Sequence, residues 1–146
     1  MIKKFAAAAL LLAAAPAVAG AAATQQPVTA ATSTHTLHLK LHVTAGRDLD
    51  QQHFVGTERV RSRDTHKFIG FDAFSGQVKP GAVVFDTAFA FKGGILLTRV
   101  RTAGEAPTRY AGHVTSGSGV FAGATGTVRG RAVSRDDTFL TIRYSL

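Results

Sequence analysis

The chain has 146 residues, with ten phenylalanines, fifteen glycines, no tryptophan and no cysteine. Lysine and arginine number 17 against nine aspartates and glutamates, a formal charge of +8. The missing cysteine excludes disulfides and lipid attached at a thiol, so an apolar core alone must hold the fold. The basic balance either keeps the molecule soluble or suits an acidic partner.

In chain order, the first element is an address label rather than a domain. Lys3 and Lys4 precede the apolar run "FAAAALLLAAAPAVAG", and Ala17-Val18-Ala19 and Ala21-Ala22-Ala23 fit a small-x-small cleavage pattern. Residues 1–23 therefore read as a secretory signal peptide, which predicts a secreted, extracytoplasmic protein. Pro16 and Gly20 interrupt a run barely long enough to span a bilayer, so no stable membrane insertion is expected. Residues 24–33, rich in Thr, Gln, Ala and Val without periodicity, read as a disordered lead-in.

From residue 34 onward alternation at period two replaces any helical period. "HTLHLKLHV" sets Leu37, Leu39, Leu41 and Val43 on one face and His38, Lys40 and His42 on the other. "HFVGTERVRSR" and "HKFIGFDAFSG" follow as strands, joined near Arg63-Asp64. "GAVVFDTAFAFK" is a fourth, turned by Gly93-Gly94 into "ILLTRVRT". "TRYAGHVTS", "GTVRGRAVS" and "TFLTIRYSL" complete eight. Short strands with tight turns allow a sandwich or a barrel. The fourth is apolar on both faces, Val83, Phe85, Phe89 and Phe91 on one and small Ala82, Val84, Ala88 and Ala90 on the other. That favours an eight-stranded antiparallel barrel of all-β class over residues 34–146.

The glycine-rich stretch "TSGSGVFAGATGTVRG" contains a formal dinucleotide fingerprint, Gly117-x-Gly119-x-x-Ala122. The fingerprint works only where the turn opens a helix, and "GATGTVRGRAV" is a strand sequence. A turn with positive-φ glycines, dropping Phe121 into an apolar interior, is the expected structure.

At this turn the sequence resembles a known family. "VTSGSGVFAGATGTV" is similar to a signature of the allene oxide cyclase-like and dirigent-like β-barrels, many of them exported by bacteria, and "TFLTIRYSL" is similar to their closing strand. The resemblance covers Thr34 to Leu146. It implies a calycin-like barrel with an apolar cavity, assembly as homodimers or homotrimers, and neither metal nor organic cofactor. Members cyclise an unstable epoxide or steer the coupling of phenoxy radicals. Thr125 stands where the family commonly has arginine, and no polar set matching the plant cyclases is found.

Asp72 and Asp86 sit inside apolar strands, where a buried carboxyl would have a raised pKa and serve as general acid or base. Solvent-facing aspartates paired with arginine are the alternative. Tyr110, on the face of Val114, offers a phenol to the same cavity or packs as core. Phe85, Phe89, Phe91 and Phe121 are the expected ligand-lining residues. His38 and His42 lie about 13 Å apart along one strand, too far to share a metal, and no metal site is expected. Arg59, Arg61 and Arg63 alternate on an outer face, a solvated edge or a polyanion patch. Nucleic acid is not expected as a partner.

Three functions follow. The first is a binding module holding a small hydrophobic ligand. The second is a cofactor-independent isomerase or cyclase, or a dirigent-type enzyme, working by positioning a reactive substrate. The third is a surface protein acting through its basic exterior.

Overall fold

Strand twist and local register shifts curl one continuous antiparallel ribbon into a cylinder, and side-chain alternation sets which residues face its interior. The computed structural model describes residues 33–102 and 108–146. The eight strands are β1 (Thr34–Asp48), β2 (His53–Ser62), β3 (Phe68–Lys79), β4 (Ala82–Phe91), β5 (Gly94–Thr102), β6 (Arg109–Gly117), β7 (Thr125–Ala132) and β8 (Asp137–Ser145). Each pairs antiparallel with its successor, and β8 pairs with β1, closing the barrel. Closure leaves no free sheet edge.

The strands lie where alternation placed them, with two extensions, of which β3 runs three residues past Gly76 to Lys79. β1 continues five residues past Val43, through an irregularity between Val43 and Ala45 that shifts its register against β2. Such a bulge adds twist and lets a long strand follow the curved wall. The predicted signal and most of the lead-in, residues 1–32, lie outside the described residues.

Leu39, Val60, Phe89, Leu96, Val128 and Ile142 point inward and are almost fully buried. The barrel has two unlike ends. One carries the β2–β3, β4–β5 and β6–β7 connections, and its plug is the glycine turn. There a 3₁₀ turn over Gly119–Phe121 buries the Phe121 ring. Phe121 meets Phe91 and Tyr144, each at 5.6 Å between ring centroids, and Phe91 stacks on Phe89 at 5.8 Å. Gly119 has φ +61°, and a Cβ there would press on the Gly93 carbonyl oxygen. Only glycine admits both the left-handed backbone and the close approach.

Candidate active site

The other end, which carries the β1–β2, β3–β4, β5–β6 and β7–β8 connections, is hollow. Phe54 on β2 stands opposite Gly76 on β3, and Gly56 opposite Phe74. A Cβ on either glycine would collide with the facing ring, so the glycines give the two phenyls room to lie flat inside the wall. Phe85 on β4 sits edge-on to Phe54 at 5.5 Å and to Phe74 at 6.1 Å, and Tyr110 on β6 lies 5.9 Å from Phe85. Around these rings lies a cavity of about 150 Å³ that reaches Arg135 in the β7–β8 turn. Glu58, Phe89 and Thr98 also line it.

Two carboxyls lie between the hollow end and the plugged end. Glu58 and Asp72 are register partners on β2 and β3, and both point inward. Glu58 is 9 % exposed and Asp72 3 %. Opposed residues on antiparallel strands have Cβ atoms about 5 Å apart, so the two carboxyl groups meet. Neither oxygen of Asp72 has a partner within hydrogen-bond geometry, and the groups beside it are the carboxyl and the backbone N–H of Glu58. A bond between the two carboxyls can form only while one of them holds a proton.

The electrostatics follow from that. Burial, then the charge and hydrogen bond of Glu58, push the Asp72 pKa up to about 9. Burial also raises Glu58, while a hydrogen bond from Asp72 acts against it. Burial thus favours the neutral acid at both positions, and Asp72 keeps its proton through neutrality. Thr98 Oγ1, in the cavity lining, is likewise buried without a hydrogen-bond partner. Burial raises the Tyr110 phenol too, and its side chain hydrogen-bonds Thr138.

The candidate residues separate by strand parity. Asp72 and Tyr110 face inward, and Tyr110, Phe85 and Phe89 line the cavity. Phe91 and Phe121 belong instead to the plugged end. Asp86 is corrected outright. On β4 the inward residues are odd-numbered, so Asp86 points outward, half exposed, in a two-pronged ion pair with Arg99 at 2.7 and 3.0 Å. That bond holds its carboxyl below the usual range, the reverse of a buried acid. Glu58 was not among the candidates, although Phe54, Glu58 and Val60 share one side of the alternation and Arg59 and Arg61 the other. Among the described residues no group of three or more His, Asp or Glu side chains is placed to hold a metal.

With the wall, the plug and the cavity in place, the architecture can be set beside solved structures. A pyocyanin demethylase superposes with a TM-score of 0.63 at 14 % identity, covering 75 % of this chain and 99 % of that one. The fold is that of the dirigent-like and cyclase barrels. A pterocarpan synthase dirigent protein, GePTS1, gives 0.64 at 14 % identity over 78 % of this chain and 88 % of its own. The Diels Alderase AbmU from Streptomyces koyangensis gives 0.61 at 12 % identity over 80 % and 70 %. No family model and no curated protein matches the sequence. At such identities the likeness concerns the fold, and the resemblance read at the glycine turn holds at that level.

Proposed function

We propose that the barrel binds a small, mostly apolar molecule among Phe54, Phe74, Phe85 and Phe89 and moves a proton on it through the Glu58–Asp72 pair, as a cofactor-independent isomerase or cyclase. One observation carries this reading. Two carboxyls are buried face to face, Glu58 in the lining of a phenyl-walled cavity and Asp72 beside it with neither oxygen hydrogen-bonded, an arrangement that costs stability. A space near 150 Å³ admits a benzene-sized ring. Glu58, which lines the cavity, takes a proton as carboxylate and returns it as neutral acid, Asp72 beside it is the protonated neighbour that can hydrogen-bond that carboxylate, and the phenyl wall orients the substrate and excludes water. Solved barrels of this fold that are named for a demethylase and a Diels Alderase support the reading.

A general-base probe tests it without knowledge of the natural substrate. 5-Nitrobenzisoxazole loses its C3 proton to a carboxylate as its N–O bond opens to a cyanophenolate. The wild-type protein should accelerate this opening, Glu58→Gln should abolish the acceleration, and both should still bind the apolar ring. Acceleration that survives Glu58→Gln would refute proton transfer at this site. A ligand-binding protein without chemistry is the second reading, favoured by the dominance of phenyl rings in the lining. Ring binding with no turnover in the wild type would establish it.

Export belongs to the same proposal. The basic start, apolar run and small-x-small patterns within residues 1–23 support an extracytoplasmic setting. Intact-mass measurement on secreted material should find an N-terminus between Gly20 and Thr24, and a Met1 start in a membrane fraction would overturn it.

A further inference from the structure

The outer wall carries a second feature, whose lining shares only Tyr110 with the cavity. Across β5, β6, β7 and β8 lies a groove of about 920 Å³ whose lining includes Arg63, Arg101, Arg109, Arg129 and Arg131. The strand register orders these arginines. Arg109 stands directly opposite Arg131, which stands opposite Phe139, and one step along Arg101 and Arg129 flank Ala111 on its two neighbouring strands. At about 4.8 Å between strands the row runs about 15 Å around the barrel.

Three observations mark the groove as built for anions. Like charges directly opposed across antiparallel strands destabilise a sheet, yet Arg109 faces Arg131 and no described carboxylate pairs with either. The ion pairs formed by described residues lie elsewhere, at Asp86–Arg99, Asp137 with Lys40 and His42, and Asp50–His53. Phe139 holds two of the cations in place, with Arg63 4.3 Å above its ring centroid and Arg131 at 5.5 Å. The cations are all arginines, whose planar forks match phosphate oxygens in pairs.

We infer that this groove binds a linear phosphate polymer, recognised through its phosphates alone. A single phosphate would engage one or two of the five guanidiniums, and a flat lipid surface would not enter a concave trough. A chain of phosphates can follow the whole row.

The test uses the mature protein and fluorescein-labelled inorganic polyphosphate, read by anisotropy. Polyphosphate should bind, inorganic phosphate at the same phosphate concentration should compete weakly, and affinity should fall roughly 100-fold between 50 and 200 mM salt. The combined Arg101→Gln, Arg109→Gln, Arg129→Gln and Arg131→Gln variant should lose at least tenfold in affinity. Arg59→Gln with Arg61→Gln, on the outer face of β2 and outside the groove lining, should change it less than threefold. Circular dichroism melts establish that each variant is folded. Asp72→Asn should bind polyphosphate like the wild type, separating this groove from the proton-transfer site. Equal losses from both arginine sets per charge removed would show net charge alone at work and overturn the inference. Tighter binding to phosphatidylglycerol vesicles than to polyphosphate would overturn it as well.

Discussion

The two ends of the barrel are made of the same residue, phenylalanine, and do opposite things with it. At the plugged end Phe91 and Phe121 pack with Phe89 and Tyr144 into a continuous ring cluster, and the Gly119 turn pins Phe121 in place. At the hollow end Phe54, Phe74 and Phe85 surround a space instead of filling it, because Gly56 and Gly76 let two rings lie against the wall. The difference lies in the facing residue rather than in the ring. One end supplies stability, and that surplus tolerates the opposed carboxyls below the other.

The sharpest way to break this contrast is at Gly119. Gly119→Val must strain a left-handed backbone and push against the Gly93 carbonyl, a loss of more than about 3 kcal/mol in thermal or urea unfolding. Gly123, at φ +79° with open space around it, should lose only about 1–3 kcal/mol as valine. Equal losses would mean that the close approach at Gly119 is unimportant.

Next come the rings themselves. Phe121→Ala removes a buried plug and should cost about 3–5 kcal/mol. Phe54→Ala borders an existing cavity and should cost roughly 1–2 kcal/mol, while sharply weakening binding of a benzene-sized ligand. Reversed magnitudes would place the stabilising cluster at the wrong end.

The carboxyl pair gives a smaller but signed effect. With its folded pKa near 9 and an ordinary unfolded value near 3.8, Asp72 binds more protons folded than unfolded between those limits. Stability therefore falls as pH rises from about 4 toward 9. Asp72→Asn should flatten that slope and raise the melting temperature at pH 8, although it removes a native contact. Asp86→Asn breaks only an exposed pair with Arg99 and should leave melting temperature and nitrobenzisoxazole turnover unchanged.

How far the sequence reveals this plan differs between its parts. All eight strands follow from period-two alternation, because a closed wall buries every second residue. The extension of β1 does not, since Thr44, Ala45 and Gly46 break the pattern at the bulge. Asp72 and Asp86 look alike as carboxylates in apolar strands, and only strand parity sends one inward and the other to Arg99. Glu58 sits among arginines that suggest solvent, so the alternation it shares with Phe54 and Val60 is easily overlooked. That Glu58 meets Asp72 depends on the β2–β3 register, which no single strand encodes.

The most direct test is a pH titration of side-chain carboxyl carbons by nuclear magnetic resonance on the folded, mature protein. Asp72 should stay protonated through neutrality and ionise near pH 9, Glu58 should ionise above the ordinary glutamate range, and Glu58→Gln should lower the Asp72 midpoint without returning it to normal, because burial remains its largest cause. An Asp72 that titrates near pH 4 in the intact barrel would contradict a buried, protonated acid beside Glu58, and with it the proposed chemistry.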